Sequence, residues 1–381
     1  MNRSKFDWTV EPRHQWPPRG KPRPPFGPTA IEIMRSCPLR LFFERSRGYE
    51  PRVSFDGRIG IAFHRTLESL TKSPPSGTKG EVAEAVSHRF QRELATQEAE
   101  ANQRPREWGL PRNRERIHKA LEALLSIAQH LGQNQLRSRR SVACSENVSG
   151  TARDIKVEVE VDVIGAGGLL RGRIDRVEHQ PGGIYLFDYK SALREDIPER
   201  YERQVQLYAA MWFETRGTWP ARALLVYPLT GASHEVPVNP VACQAIISET
   251  VNLIRTVDEV SEPGALATPG DVCKVCSFRP WCQPFWDWQR SESSHMVALE
   301  RSGLGVEGVV REVRRLDHHI KLVLHWRKVE VLLVFAQDRF PHLSHVQIGD
   351  HLRILDAPLR GLMHSPRATI DELSEVFFLR L

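Results

Sequence analysis

The order of apolar and polar positions predicts alternating strands and helices through the middle of the chain. Residues 155–163 alternate apolar and polar side chains, which is typical of a strand with one buried face. Glycines at 165–168 predict a turn into a second strand. Further strands are predicted over residues 184–190 and 223–229, with a helix over 199–215 between them. This order indicates an α/β core built on a mixed central sheet.

The regions on either side of this core have other patterns. Seven prolines with scattered arginines and lysines predict that residues 1–28 form a disordered tail. Residues 81–140 are predicted to be a helical insertion, because apolar residues such as Leu121 and Leu125 recur at helical spacing.

After about residue 291 the pattern changes again, to short runs typical of strands. The five runs cover residues 305–313, 320–325, 329–335, 351–355 and 376–379. They predict a small OB-like β-barrel over residues 296–381. Such barrels often bind single-stranded nucleic acid, and a barrel that docks another protein is the alternative.

Length and charge narrow the class of protein. The 381 residues are enough for two domains, and the net charge of +6 favours a polyanionic partner. No apolar run approaches the length of a membrane-spanning helix, so we expect a soluble, cytoplasmic protein without membrane contact. The sequence contains no Walker loop, which implies that any unwinding of nucleic acid comes from a separate helicase.

Two carboxylates and an amine are predicted to meet on neighbouring strands. Asp188 and Lys190 are two residues apart in one strand and share a face, and a hairpin through residues 180–183 brings Asp175 alongside them. Carboxylate oxygens suit Mg²⁺ or Mn²⁺. A solvated surface hairpin is the alternative, but the apolar residues 184–187 predict burial, where charges need partners or a metal. The chemistry indicated is metal-assisted phosphodiester hydrolysis.

Four motifs in chain order resemble the RecB-like branch of the PD-(D/E)XK nuclease superfamily, over residues 29–290. They are Gly60-Ile-Ala-Phe-His64, Gly172-Arg-Ile-Asp175, Asp188-Tyr-Lys190 and Gln204-Val-Gln-Leu-Tyr208. The resemblance implies a restriction-endonuclease-like core in which His64 joins Asp175 and Asp188 as a third metal ligand. It also implies that Gln204 and Tyr208, one helical turn apart, line the catalytic site with Lys190.

Cysteine spacing points to a second, separate site. Cys273, Cys276 and Cys282 form a tight trio, and Cys37 is a fourth candidate far upstream. Four thiolates bind either zinc or an iron–sulfur cluster, and the spacing does not choose between them. A disulfide framework is disfavoured, because the long chain lacks the dense cysteines of small secreted domains.

The resemblance favours an iron–sulfur cluster. Iron–sulfur members of this nuclease family, such as the AddB subunit and the CRISPR-associated nucleases, have one cysteine before the nuclease motifs and three after them. Cys37, Cys273, Cys276 and Cys282 have the same order, which implies a four-iron cluster with zinc as the alternative. Cys144 and Cys243 are not close in sequence to any other cysteine, and we assign them no function.

The hypothesis from the sequence is therefore a Mg²⁺- or Mn²⁺-dependent DNA nuclease. By resemblance it acts on single strands or ends, in DNA repair, recombination or defence, and its helical insertion arches over the site as part of a DNA channel. The alternative is a catalytically inactive iron–sulfur module that binds DNA or assembles with other proteins. No residue excludes an enzyme that acts on RNA.

Overall fold

The computed structural model describes residues 7–107, 113–143, 156–291, 305–326, 329–362, 365–371 and 373–381. The helices are α1 (Pro12–Gln15), α2 (Pro28–Ser36), α3 (Pro38–Arg45), α4 (Phe55–Lys72), α5 (Lys79–Gln103), α6 (Arg114–Ala143), α7 (Glu199–Arg216), α8 (Pro240–Glu259) and α9 (Gln283–Arg290). The strands are β1 (Thr9–Val10), β2 (Lys156–Gly165), β3 (Leu170–Gln180), β4 (Gly183–Tyr189), β5 (Arg222–Tyr227), β6 (Ala232–Val236), β7 (Gly305–Arg315), β8 (His319–Trp326), β9 (Val329–Ala336), β10 (His351–Leu355), β11 (Leu359–Leu362), β12 (Ser365–Thr369) and β13 (Glu375–Leu379).

A five-stranded mixed sheet carries the predicted motifs. Its order is β2-β3-β4-β5-β6, with β4 and β5 parallel and the other neighbours antiparallel. A parallel pair needs a crossover connection, and α7 supplies it between β4 and β5 while packing on β2 and β3. The mixed sheet with a helix before the parallel strand confirms the α/β core predicted from the sequence.

The helical insertion forms its own apolar layer against the sheet. Phe63 of α4, Phe90 of α5 and Leu124 of α6 are buried in one cluster, which also contains Tyr189 at the end of β4. Thr78 and Glu81 form a capping box that starts α5. Most of residues 81–140, where the sequence predicts a helical insertion, lie in α5 and α6. The basic side chains at 137–140 and Cys144 lie outside the described residues.

Among the helices that the structure describes, none has both the length and the apolar character needed to cross a membrane.

Residues 7–28 are ordered, which differs from the disordered tail predicted for residues 1–28. Trp8 and Phe26 are each only 3% exposed, and β1 pairs in parallel with β13. Burial of these large aromatic side chains offsets the entropy cost of ordering the segment. The prediction of disorder was wrong for residues 7–28 because it considered only their proline-rich composition. It did not include the distant residues that bury the two aromatic rings.

The C-terminal part forms an eight-stranded sheet in the described residues, where the sequence predicts a closed five-stranded barrel. The order is β1-β13-β10-β7-β8-β9-β12-β11, which runs from one edge strand to another without closing. The five predicted runs are present as β7, β8, β9, β10 and β13. The pattern misses β11 and β12 because Gly361 and Pro366 interrupt them, and β1 because it lies far away in sequence.

Buried ion pairs join this second sheet to the rest of the chain. Arg106, after α5, donates to both carboxylate oxygens of Glu375 at 2.7 and 2.9 Å. Its Nη2 atom also donates to Ser277 O at 2.9 Å. Arg279 donates to both carboxylate oxygens of Asp356 at 3.0 and 2.8 Å. Apolar contacts also join the two sheets, since Phe377 of β13 belongs to the same buried cluster as residues of the first sheet.

We therefore expect Glu375→Gln to destabilise the whole protein. Removing the charge leaves the Arg106 guanidinium, 1% exposed, without its anion, and breaking a buried pair of this kind costs about 3–5 kcal/mol. Urea unfolding measures the loss, with the exposed Glu330→Gln as the matched control.

A chain ending at Arg290 should lose cooperative unfolding altogether. A shortened chain that unfolds cooperatively would show that residues 29–290 are an independent domain.

Candidate active site

The six residues of the sequence motifs meet at one cavity beside the carboxyl end of β4. The cavity has a volume of about 380 Å³. Its lining includes His64, Asp175, Asp188, Lys190, Gln204 and Tyr208. Arg116 of α6 and Tyr201 of α7 also line it. Three separate parts of the chain, which are α4, the β3–β4 hairpin and α7, thus converge as the motif order predicts.

Strand β4 carries an acid and an amine on the same face. Lys190 N donates to Val226 O of β5 at 2.8 Å, so the parallel pairing continues past the end of β4. Lys190 Nζ lies 2.7 Å from Asp188 Oδ2 and donates to Gln204 Oε1 at 3.0 Å. It also lies 5.0 Å from the centre of the Tyr201 ring. The predicted shared face of Asp188 and Lys190 is confirmed.

Asp175 lies where β3 separates from β4. The pairing of the two strands begins one residue later, at Arg176 opposite Phe187. Asp175 Oδ2 accepts a hydrogen bond from Tyr189 N at 2.7 Å, which fixes the carboxyl beside Asp188. Burial and the charge of Asp188 raise the pKa of Asp175 to about 8. Without a metal, this carboxyl therefore keeps its proton to a higher pH than an ordinary aspartate does.

Helix α4 brings His64 to the carboxylates. Ser54 caps the helix by accepting from Gly57 N at 3.1 Å. A Cβ at Gly60 would come within 2.7 Å of Ser191 Oγ, so a glycine here lets the helix approach the chain just after Lys190. Burial lowers the pKa of His64 although Asp188 opposes the shift. The imidazole is thus kept neutral, which is the form that binds a metal.

Helix α7 supplies the remaining two predicted residues. Gln204 is 6% and Tyr208 8% exposed. A Cβ at Gly172 would come within 2.7 Å of both Tyr208 Cε1 and Met211 Cε, so the glycine before Asp175 makes room for the tyrosine ring. Burial raises the pKa of Tyr208, and the nearby carboxylates add to the shift. The hydroxyl therefore stays protonated and can act as a hydrogen-bond donor.

The carboxylate pair fits a cation in chemical type. Asp188 Oδ2 is buried, and the Lys190 ammonium lies 2.7 Å from it. A buried carboxylate that already attracts one positive group has the charge that a cation site requires. As placed, no three His, Cys, Asp or Glu side chains among the described residues form a group that could hold a metal ion.

The four candidate cysteines influence one another electrostatically although Cys37 is far from the others in sequence, and as placed no three of these described residues form a closed metal-binding group. Cys37 separates α2 from α3, and Cys282 immediately precedes α9. Burial raises the pKa of Cys273 to about 11, and the charges of Cys276 and Cys37 add to it. Burial likewise raises the pKa of Cys282, with contributions from the other three sulfurs. The four thiols therefore lie within electrostatic reach of one another, and the cysteines described are not in disulfides.

Two residues at the site are not anticipated by the sequence. Glu160 of β2 has a φ of 51°, in the left-handed region, and it interrupts the β2–β3 register opposite Asp175. In the alternating run it looks like any solvent-facing position. Arg116 belongs to the helical insertion, far from every motif in sequence. Only the strained backbone of Glu160 and the packing of α6 reveal them.

Comparison with known families gives one match that covers most of the chain. The family model of the PD-(D/E)XK nuclease superfamily matches residues 25–283. These residues contain all six motif residues and the four candidate cysteines. No curated protein sequence matches the chain significantly.

Two of the solved structures that resemble the chain are distant from it. A replication factor A related protein from Methanobacterium thermoautotrophicum is 20% identical and covers 20% of this chain and 82% of its own, with a TM-score of 0.18. A murine DNA binding protein bound with double-stranded DNA is 9% identical and covers 60% of this chain and 96% of its own, with a TM-score of 0.21. Likenesses this weak carry no inference about the fold or the function.

Proposed function

Since the chain belongs to the PD-(D/E)XK nuclease superfamily, we propose that it is a metal-dependent deoxyribonuclease that cleaves single-stranded DNA or DNA ends. Members of this superfamily are typically nucleases that use divalent metals such as Mg²⁺. The observation that carries the proposal is the meeting of Asp175, Asp188 and Lys190 at one cavity. A catalytically inactive DNA-binding module is the alternative, and the complete set of motif residues at the cavity favours the enzyme.

Lys190 has the position that charge stabilisation requires. Its ammonium is held between Asp188 Oδ2 and Gln204 Oε1, so it stays beside the carboxylates at the open end of β4. A fixed positive charge there stabilises negative charge that develops on the cleaved phosphate. Gln204 positions the amine, and the protonated Tyr208 hydroxyl is a donor on the same helix face. Each role is assigned from the position of the side chain at the cavity.

Asp175, Asp188 and His64 are the residues that would hold Mg²⁺ or Mn²⁺. Two carboxylates and a neutral imidazole are suitable ligands, and the buried Asp188 carboxylate attracts positive charge, since the Lys190 ammonium lies 2.7 Å from it. When bound, the cation would polarise the phosphodiester and neutralise charge in the transition state. The side chains as described lie around one cavity without forming a closed ligand group.

The proposal includes membership of the RecB-like iron–sulfur branch, with a four-iron cluster on the four cysteines. Buried thiols whose pKa values are raised need a positive group to become thiolates, and a metal cluster provides it. The cluster would link the segment between α2 and α3 to the segment before α9. It would therefore tie the two ends of the nuclease region together. Zinc bound to the same thiols is the alternative cofactor.

We expect anaerobically purified protein to be brown, with about four iron and four sulfide per chain. Cys37→Ser or Cys282→Ser should remove the colour and lower the melting temperature, because a lost ligand releases the link between the two segments. Cys243→Ser is the matched control, since Cys243 is buried in α8 away from the trio in sequence. Stoichiometric zinc without iron would overturn the choice of cluster. Iron content and visible absorption give the answer.

A biological setting in DNA repair, recombination or defence follows from the same family branch. The protein would then work in the cytoplasm. A separate helicase would unwind the DNA, because the sequence contains no Walker loop. The eight-stranded sheet is the part we assign to contacts with DNA or with that partner. Co-purification with a helicase from the same cells tests this role.

The test of the proposed function is direct. Anaerobically purified protein is incubated with single-stranded and duplex DNA, with and without Mn²⁺, and products are resolved on denaturing gels. We expect shortening of single strands that depends on the metal. Cleavage of RNA alone would reassign the substrate, and absence of cleavage with Mn²⁺ or Mg²⁺ would favour the inactive module.

A further inference from the structure

Arg116 brings the helical insertion into the active-site cavity. It lines the same cavity as Lys190 and the carboxylates, although α6 carries none of the sequence motifs. Only 14% of its side chain is exposed. Burying a positive charge is costly, so a largely buried guanidinium needs an anion close to it, either in the protein or in a ligand.

The position of Arg116 is set from two sides. Asn113 accepts a hydrogen bond from Arg116 N at 3.0 Å and donates to Asp56 Oδ1 of α4 at 3.1 Å. Arg116 Nη2 donates to Ser191 O at 2.5 Å. The guanidinium is thus anchored to the residue directly after Lys190 and oriented by the start of its own helix. Such an anchor holds it in place before a ligand arrives.

The guanidinium keeps unused hydrogen-bonding capacity. It has five N–H donors. Its contact with Asp56 Oδ2 is long, at 3.5 Å, and that carboxylate is 45% exposed, so solvent screens the pair. Arg116 Nε is buried and donates to no acceptor among the described residues. An acceptor with several oxygens arriving from the cavity would satisfy these donors.

From this geometry we infer that Arg116 binds a phosphate of the substrate strand next to the one that is cleaved. The inference rests on the proposed function. The planar guanidinium matches the oxygens of a phosphodiester in a bidentate way, which an amine does not. Lys190 already faces the carboxylates, whereas Arg116 is held on the Ser191 side. Arg116 therefore positions the strand and leaves charge stabilisation at the cleaved bond to Lys190.

The test compares Arg116→Gln with Arg114→Gln in the full-length protein. Arg114 is an exposed arginine two residues earlier on α6, so its replacement removes the same charge without changing the site. With a single-stranded oligonucleotide and Mn²⁺, Arg116→Gln should raise KM about 10- to 100-fold, the value of one charged hydrogen-bond pair, and leave kcat nearly unchanged. Arg114→Gln should change neither. A fall in kcat at constant KM would overturn the assignment to a flanking phosphate.

A binding measurement separates this inference from the proposed function. Fluorescence anisotropy of the same oligonucleotide, with EDTA and at several salt concentrations, requires no cleavage. One lost phosphate contact should reduce the slope of log Kd against log salt by about 0.7. Arg116→Lys should restore that slope but only part of the affinity.

The remaining outcomes are equally decisive. An unchanged slope in Arg116→Gln, with or without a lower melting temperature, would mean that Arg116 only supports the packing of α6, and would overturn the inference. If the wild-type protein cleaves no DNA while the slope falls as expected, the proposed nuclease fails and the phosphate contact stands.

Discussion

Lys190→Ala should lower kcat for DNA cleavage by about a thousandfold or more while leaving the fold intact. Groups that stabilise charge only in the transition state have effects of this size. Lys190 Nζ makes its contacts with Asp188 and Gln204, both in the site, and the chain around it is held by the β4–β5 pairing. Single-turnover cleavage of a labelled oligonucleotide measures the loss, and the melting temperature reports the fold.

Two comparisons make the Lys190 result specific. Lys156→Ala removes a lysine from the start of β2, where the side chain is 69% exposed and pairs with Glu158. That variant should cleave DNA at the wild-type rate. Binding of DNA by Lys190→Ala should be little changed, because the amine acts on the transition state more than on the ground state. Near-normal cleavage by Lys190→Ala would remove the central assignment of the site.

Asp188→Asn should abolish both Mn²⁺ binding and cleavage. Its carboxylate is buried beside Asp175 at the cavity, and an amide in its place carries no negative charge for a cation. Calorimetric titration with Mn²⁺ measures the affinity. Asp162→Asn, an exposed carboxylate of β2, is the matched control and should bind Mn²⁺ normally. Unchanged affinity in Asp188→Asn would show that this carboxylate is not a ligand.

The pH dependence of Mn²⁺ binding should identify Asp175 as the second ligand. Its pKa is raised to about 8 in the metal-free protein, so binding below that pH must release the proton. Affinity should therefore rise about tenfold per pH unit below pH 8 and level off above it. Asp175→Asn should weaken binding and remove this slope. A wild-type affinity independent of pH between 6 and about 8 would contradict the assignment.

Much of the first sheet could be predicted because its information is local. The alternation in residues 155–163 reports a half-buried strand, and β2 is observed at Lys156–Gly165. The spacing of Asp188 and Lys190 reports a shared face, which their 2.7 Å contact confirms. Gly60 and Gly172 are part of the motifs, but only the tertiary structure explains why glycine is needed there. Each one leaves space for a side chain from another part of the chain.

The C-terminal part was harder to predict because its sheet depends on contacts between distant segments. Five strands with regular alternation are predicted correctly, yet the closed barrel is not what the described pairings form. Thr9 and Val10 form an edge strand only because β13 offers them unpaired backbone groups. A strand of two residues in a proline-rich segment is too short to show an alternating pattern, so the sequence gives no sign of this pairing.

The sequence by itself determined the order of strands and helices in the first sheet, the spacing of the acidic and basic motif residues, and the order of the four candidate cysteines. These features depend on residue identity and on spacing within single elements. Tertiary structure alone decided that Arg116 enters the cavity, that the pKa of Asp175 rises, and that Arg106 binds Glu375 across two parts of the chain. Burial and through-space charge set these properties, and both depend on which distant segments meet.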